Sequence, residues 1–400
     1  MAMLGWGTGF YGPPVFLHAV VQRTGWPLAW VSAAVTVHFL VGALVVTRLP
    51  RLHARFGVGP VALAGSAVTA LGVLGWSLAA TPPQLLAAAA GSGAGWVTLG
   101  AAAVNAALAP WYERGRPLAL ARAYNGASIG GLVFSPLWVW LIGRWGFTAA
   151  AALVGALMVA TMALLARAVF AHTPQRLGQA PDGDTPAAPS PAPALADPAP
   201  LPAGRALWRD RRFATLALGM AAGLFAQIGL LAHLYALLVP ALGAGAAGLA
   251  MGLGTGCAIV GRLVAARAVQ AGARRRAVAA AAYGVQLAAV ALLALGDGGQ
   301  AALVLLGVAL FGSGIGNATS LPPLIAQAEF ARADVPRAVA TLVAFAQASY
   351  AFAPAAFGLV LAATAPAGAR IGGAVWAFLL AVALVQALAM ACLLGGRGAR

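Results

Sequence analysis

The stretch GALVVTRLPRLHARFG, Gly42 to Gly57, returns once in this chain as GRLVAARAVQAGARRR, Gly261 to Arg276. Each copy puts a glycine at the end of an apolar run and an arginine-rich short loop behind it. About 20 apolar residues suffice to cross a bilayer as a helix, and on either side of these loops twelve runs reach that length. They lie at roughly 2–21, 28–47, 59–80, 83–109, 117–142, 147–170, 213–238, 244–265, 277–295, 299–326, 337–362 and 371–394. The fifth and eleventh runs start beside Arg116 and Arg337 and carry late prolines, Pro136 and Pro354, so the two sets of six correspond. The expected fold is an all-α membrane protein of twelve transmembrane helices in two pseudo-symmetric six-helix bundles.

Composition agrees. Of 400 residues 62% are hydrophobic and 8% charged, against about 25% charged in a soluble domain. All basic residues are arginines, 24 against 8 acidic ones, for a formal charge of +16. On a soluble surface that excess would suggest nucleic acid; here the arginines separate apolar runs, so the partner is the lipid bilayer and no nucleic acid is expected. With the N-terminus inside, Arg48, Arg51, Arg55, Arg114, Arg116, Arg209, Arg211, Arg212 and Arg274 to Arg276 fall in inner loops, and only Arg23, Arg144 and Arg370 in outer ones. That asymmetry places both termini in the cytoplasm. The Ala- and Arg-rich composition suggests a bacterial cytoplasmic (inner) membrane. The first run lacks the basic n-region of a signal peptide.

Residues 171–208 contain PQRLGQAPDGDTPAAPSPAPALADPAPLPAG, Pro174 to Gly204, too poor in large apolar residues to build a core. They read as a disordered cytoplasmic linker between an N-terminal bundle, 1–170, and a C-terminal bundle, 209–400. Cys257 and Cys392 sit inside apolar runs, which argues against a disulfide or zinc framework. Paired carboxylates, metal-spaced histidines and a phosphate loop are absent. No enzyme, metal or cofactor is expected.

The segment WYERGRPLALARAYNG, Trp111 to Gly126, carries a family resemblance. It is similar to the signature of the monocarboxylate-transporter and oxalate:formate-antiporter branch of the major facilitator superfamily. Arg114, Arg116, Leu118, Ala119, Ala123 and Gly126 match, while Gly115 replaces a basic residue, Ala121 a glycine and Asn125 an alanine. YGPPVF at Tyr11 to Phe16 and AHLYALLVPALGAG at Ala232 to Gly245 resemble the same branch. The resemblance implies a secondary active transporter, expected as a monomer, working by alternating access. It would move a small, monocarboxylate-like organic anion, proton-coupled or by exchange. The alternative is a drug or metabolite exporter of the same superfamily. The superfamily's usual Asp after the second span is missing, and the eighth span offers only Arg262, toward its cytoplasmic end.

Lipid cannot satisfy polar groups, so those inside spans face the bundle interior or a substrate path. Substrate-binding candidates are Arg122, Asn125, Tyr124, Tyr11, His233, Gln227, Asn317, Gln347 and Tyr350. Asn125 and Gln347 stand out because they lie in corresponding spans. Arg122 lies five residues beyond Pro117, about 7.5 Å along a helix, where its fork could grip a carboxylate or snorkel to headgroups. No Asp or Glu falls inside a span, so proton coupling would use His233 or His38. Gly126 and Gly130, four apart, with Pro136 and Pro354, are candidate gating positions.

Overall fold

The computed structural model describes residues 1–183, 201–202, 204–296, 300–366 and 369–396, and among these every regular element is helical. The helices are α1 (Ala2–Gly9), α2 (Gly12–Thr24), α3 (Leu28–Val46), α4 (Leu49–Phe56), α5 (Val58–Leu78), α6 (Pro82–Trp96), α7 (Ala101–Leu108) and α8 (Arg116–Ala168). They continue with α9 (Arg211–Leu242), α10 (Ala244–Gln270), α11 (Arg275–Leu295), α12 (Ala301–Ile315), α13 (Asn317–Glu329), α14 (Val335–Tyr350), α15 (Ala353–Thr364) and α16 (Trp376–Gly395).

Among the described residues nine helical stretches are long and apolar enough to span a membrane, and α3 with α4 form a tenth, bent by 55°. The other two expected spans are hidden by geometry. At 53 residues α8 would be about 80 Å long if straight; Gly146, at φ 79°, divides it into two spans. No side chain is easily accommodated at that φ. The first span is broken at Phe10 and Tyr11 into α1 and α2, each too short to cross alone. The twelve expected segments are thus all present as helix. The disorder expected of the linker concerns mainly 184–200, which lie outside the described residues; its described ends carry short 3-10 turns at Gln175–Leu177, Pro181–Gly183 and Gly204–Arg209.

The chain divides into two compact units, Met1–Pro198 with Val335–Ala344, and Ala199–Asp334 with Phe345–Arg400. The core of the first is aromatic: Phe16, Trp76 and Trp138 are fully buried, with Phe16 set edge-on to Trp138 at 4.7 Å. Trp138 donates its indole N–H to the Gly7 carbonyl (3.2 Å), tying α8 to α1. Close approach of those helices needs small residues: a Cβ on Gly130 would lie 2.5 Å from the Met3 carbonyl oxygen, and one on Gly126 3.1 Å from Ala2 Cβ. Outward-facing leucines such as Leu71 and Leu164 are exposed, as expected of surface solvated by lipid.

In the second unit α9 starts at Asp210, whose carboxylate accepts from the Arg212 and Phe213 amides and caps the helix, a contribution of about 1 kcal/mol. At the same end Arg276 grips Glu329 bidentately (2.5 and 2.7 Å) and donates to the Arg212 carbonyl (2.7 Å). Glu329, beyond the expected span at 299–326, is the last residue of α13. This pair knits α11, α13 and the start of α9.

Candidate functional site

Four spans are interrupted, and most of the polar candidates gather at the interruptions. The physical reason is local. At a helix break the regular backbone ladder is disturbed, and carbonyls there take side-chain donors from the same helix or from a neighbouring one.

At the break of the first span, His38 of α3 is 1% exposed. Its Nε2 donates to the Gly9 carbonyl (2.8 Å), the last of α1. Its Nδ1 lies 2.8 Å from Ser92 Oγ of α6, which also accepts the Trp76 indole N–H (3.1 Å). Both ring nitrogens are committed inside the bundle. Tyr11, on the other side of the break, packs its ring against Gly131 of α8 and edge-on to Phe10.

The fourth span breaks at the Val97–Leu99 turn between α6 and α7. Here Tyr124 of α8 is fully buried, and its hydroxyl donates to the Ala101 carbonyl (3.0 Å). Arg122 and Asn125, on other faces of α8, are exposed and half-buried respectively. The exposed Ile129, Val133 and Trp140 continue the Arg122 stripe at helical spacing.

The tenth span breaks at Gly316, between the 15 residues of α12 and the 13 of α13. The Gly316 carbonyl accepts from Ser320 Oγ (3.0 Å), Thr319 Oγ1 (3.1 Å) and the Arg262 guanidinium Nε (3.4 Å). Arg262 belongs to α10 and is 3% exposed. Sequence position suggested the cytoplasmic end of its span; its guanidinium instead reaches the middle of the neighbouring one. The missing side chain of Gly316 makes the room, since a Cβ there would lie 2.5 Å from the guanidinium carbon. Beside it Asn317 donates to the Ser313 carbonyl (3.3 Å), and its buried Oδ1 has no hydrogen-bond partner among the described residues. Sequence reasoning undervalued Arg262; the available signal was the GSGIGN run, Gly312 to Asn317, across from it.

The eleventh span breaks between α14 and α15. Gln347 and Tyr350, both buried, lie three apart on the last turn of α14. Across the break His233 of α9 donates from Nε2 to the Pro354 carbonyl (2.9 Å), so a proton-coupling candidate and a gating candidate meet. His233 is half-buried, and no partner is seen for its Nδ1 among the described residues. Gln227, by contrast, enters a buried amide cluster in which Gln227 and Gln386 both donate to Gln286 Oε1 (3.0 and 3.2 Å). Pro136 lies inside α8. Among the described residues no group of His, Cys, Asp and Glu could hold a metal ion.

Residues 1–354 match the profile of the Major Facilitator Superfamily. Monocarboxylate transporter 13 of Bos taurus is 35% identical over 127 residues, a stretch covering 31% of this chain and only 30% of that protein. The E. coli fucose:proton symporter superposes with a TM-score of 0.66 at 14% identity, covering 99% of this chain and 97% of that one. The human organic anion transporter MFSD10 (TETRAN) superposes with a TM-score of 0.67 at 17% identity, covering 98% and 97%. At such identities the superpositions establish the fold alone. With the family profile across most of its length, twelve helical segments and polar groups clustered at broken spans, the chain belongs to the major facilitator superfamily, whose members are transporters of small molecules in the lipid bilayer and not enzymes.

Proposed function

We propose that this transporter moves a small, monocarboxylate-like organic anion by alternating access, as a monomer in a bacterial inner membrane with both termini cytoplasmic. The observation that carries the reading is Arg262. A buried guanidinium beside a mid-span helix break is costly in a membrane unless it serves a function, and its planar fork suits a carboxylate bidentately. The buried amide oxygen of Asn317 beside it is an acceptor, suited to a hydroxyl of the substrate and not to its carboxylate. The local likeness to monocarboxylate transporter 13 supports the same class. In this reading Gln347, Tyr350, Asn125, Tyr124, Tyr11 and Gln227 supply hydrogen bonds or shape, Arg122 gathers anions near the start of α8, and Gly126, Gly130, Pro136 and Pro354 allow helix movement. His233 carries the proton where transport is proton-coupled.

Counterflow in proteoliposomes against mono-, di- and aromatic carboxylates, with hydrophobic cations as controls, tests the proposal. Saturable exchange of a monocarboxylate is expected; exchange confined to hydrophobic cations would replace it with the drug-exporter reading, which the scarcity of charge inside the spans favours.

A further inference from the structure

We infer that the segment leaving the first unit is docked, through Asp182, onto the loop ahead of α8, and that this docking is a conformational latch holding the start of that helix. The Asp182 carboxylate accepts three consecutive backbone N–H groups: Glu113 (3.1 Å) and Arg114 (2.7 Å) on one oxygen, Gly115 (3.0 Å) on the other. In return the Asp182 amide donates to the Trp111 carbonyl (2.8 Å). Gly115 is the N-cap of α8 and makes no side-chain cap of its own. The cap is supplied from 67 residues away.

Three features make this a fitted contact and not a chance approach. Gly115 stands where the branch signature has a basic residue, and a Cβ there would already lie 3.0 Å from Asp182 Oδ1. Asp182 is the one non-glycine residue at positive φ (64°) among those described, a conformation Asp tolerates better than most residues. The charge also suits the position, because a helix N-terminus and its free amides favour an anion. Burial alone would raise the Asp182 pKa, but the three amides and the Arg114 charge outweigh it and hold the carboxyl below its ordinary value. The latch is therefore complete above the ordinary carboxylate range and is lost as pH falls through the lowered value.

The far end of the same segment is held within the second unit by a contact of opposite polarity, in which the carboxylate lies at the helix start and the amide on the segment. The buried Leu201 donates its amide to Asp334 Oδ2 (2.7 Å), and Asp334 is the N-cap of α14. Spans five and eleven, which start with α8 and α14, are the corresponding ones in the two sequence repeats. Each end of the linker thus contacts the residues that start one of them. A partner that draws the linker away from Trp111–Gly115 would uncap α8, the helix that carries Arg122 and Asn125.

The test needs no transported substrate. In the full chain in lipid nanodiscs, hydrogen–deuterium exchange is compared between wild type, Asp182→Gly, Asp182→Asn and Gly115→Leu, with Asp184→Asn as control. Asp182→Gly keeps the backbone conformation and removes the carboxylate; Gly115→Leu displaces it from the other side. Both should accelerate exchange at Glu113 to Gly115 by at least about tenfold, the loss of one charge-assisted hydrogen bond, and should loosen the first turn of α8. Asp182→Asn should fall between, and the control should match wild type. Unchanged exchange at 113–115 in Asp182→Gly would overturn the docking. Faster exchange there with an undisturbed first turn of α8 would overturn the latch.

Discussion

Arg262 and Arg122 share a chemistry and differ in setting. Arg262 is buried against the Gly316 carbonyl, whereas Arg122 is exposed above an apolar stripe of α8. A lysine at either site keeps the charge and loses the planar fork. Arg262→Lys should therefore raise the apparent KM for a monocarboxylate by about tenfold or more, equivalent to losing one bidentate contact, with insertion intact. Arg122→Lys should leave KM within about threefold if its role is to snorkel or gather anions. Counterflow kinetics of the two variants decide the ranking, and wild-type KM in Arg262→Lys would sink the anion site.

The two histidines separate in the same manner. His38 has both nitrogens bonded inside the bundle; among the described residues His233 uses only Nε2, so a proton can join Nδ1 without breaking a contact. For proton-coupled uptake, His233→Gln should remove the pH dependence of the rate. His38→Gln should keep that dependence while lowering thermal stability, since it removes the buried ring that joins the Gly9 carbonyl to Ser92. A flattened profile in His38→Gln alone would reverse the assignment.

At the scale of elements, the broken spans explain what the sequence could and could not reveal. The outer limits of the spans were legible because apolar runs end at arginines, glycines and prolines. The reversal at Gly146 coincided with the expected gap between the fifth and sixth spans. The breaks at Phe10, Val97 and Gly316 were legible only in part: Pro13 and Pro14 follow the first, Gly100 closes the second and the Gly312–Asn317 run holds the third, but the side chains that meet them, His38, Tyr124 and Arg262, come from elsewhere in the chain. The same limit hid the Arg276–Glu329 pair, whose members are 53 residues apart. That pair carries its own prediction. Glu329→Gln leaves a mostly buried guanidinium without its carboxylate and should destabilise the second unit by on the order of 3 kcal/mol. A combined Arg276→Met, Glu329→Leu variant should recover much of that loss, because replacing both charges removes the desolvation penalty as well. Thermal unfolding of the purified protein distinguishes them; equal losses in both would mean that packing, not charge, holds this end.

For the whole molecule, orientation rests on where the arginines fall, and one exception to the pattern has a structural explanation. Arg23, expected in an outer loop, lies in the last turn of α2 and donates to the Ala79 carbonyl (2.8 Å) at the end of α5. Its charge satisfies a helix C-terminus, a favourable place for a cation, and so is accounted for without appeal to topology. Arg144 lies two residues before the turn at Gly146. Apart from Arg370, most other arginines flank the opposite ends of the spans: Arg48, Arg51 and Arg55 around α4, Arg114 and Arg116 at the start of α8, and Arg211 and Arg275 at the starts of α9 and α11. By the positive-inside rule those ends are expected to face the cytoplasm, and the linker with them. In a chain whose Cys257 and Cys392 are replaced by alanine, a membrane-impermeant maleimide added to intact cells should label Gly143→Cys, beside the outer turn, and spare Ser190→Cys in the linker until the membrane is permeabilised. The opposite pattern would invert the molecule. It would also turn the arginine-rich loops outward and remove the reason for reading Arg122 as a residue near the cytoplasmic headgroups.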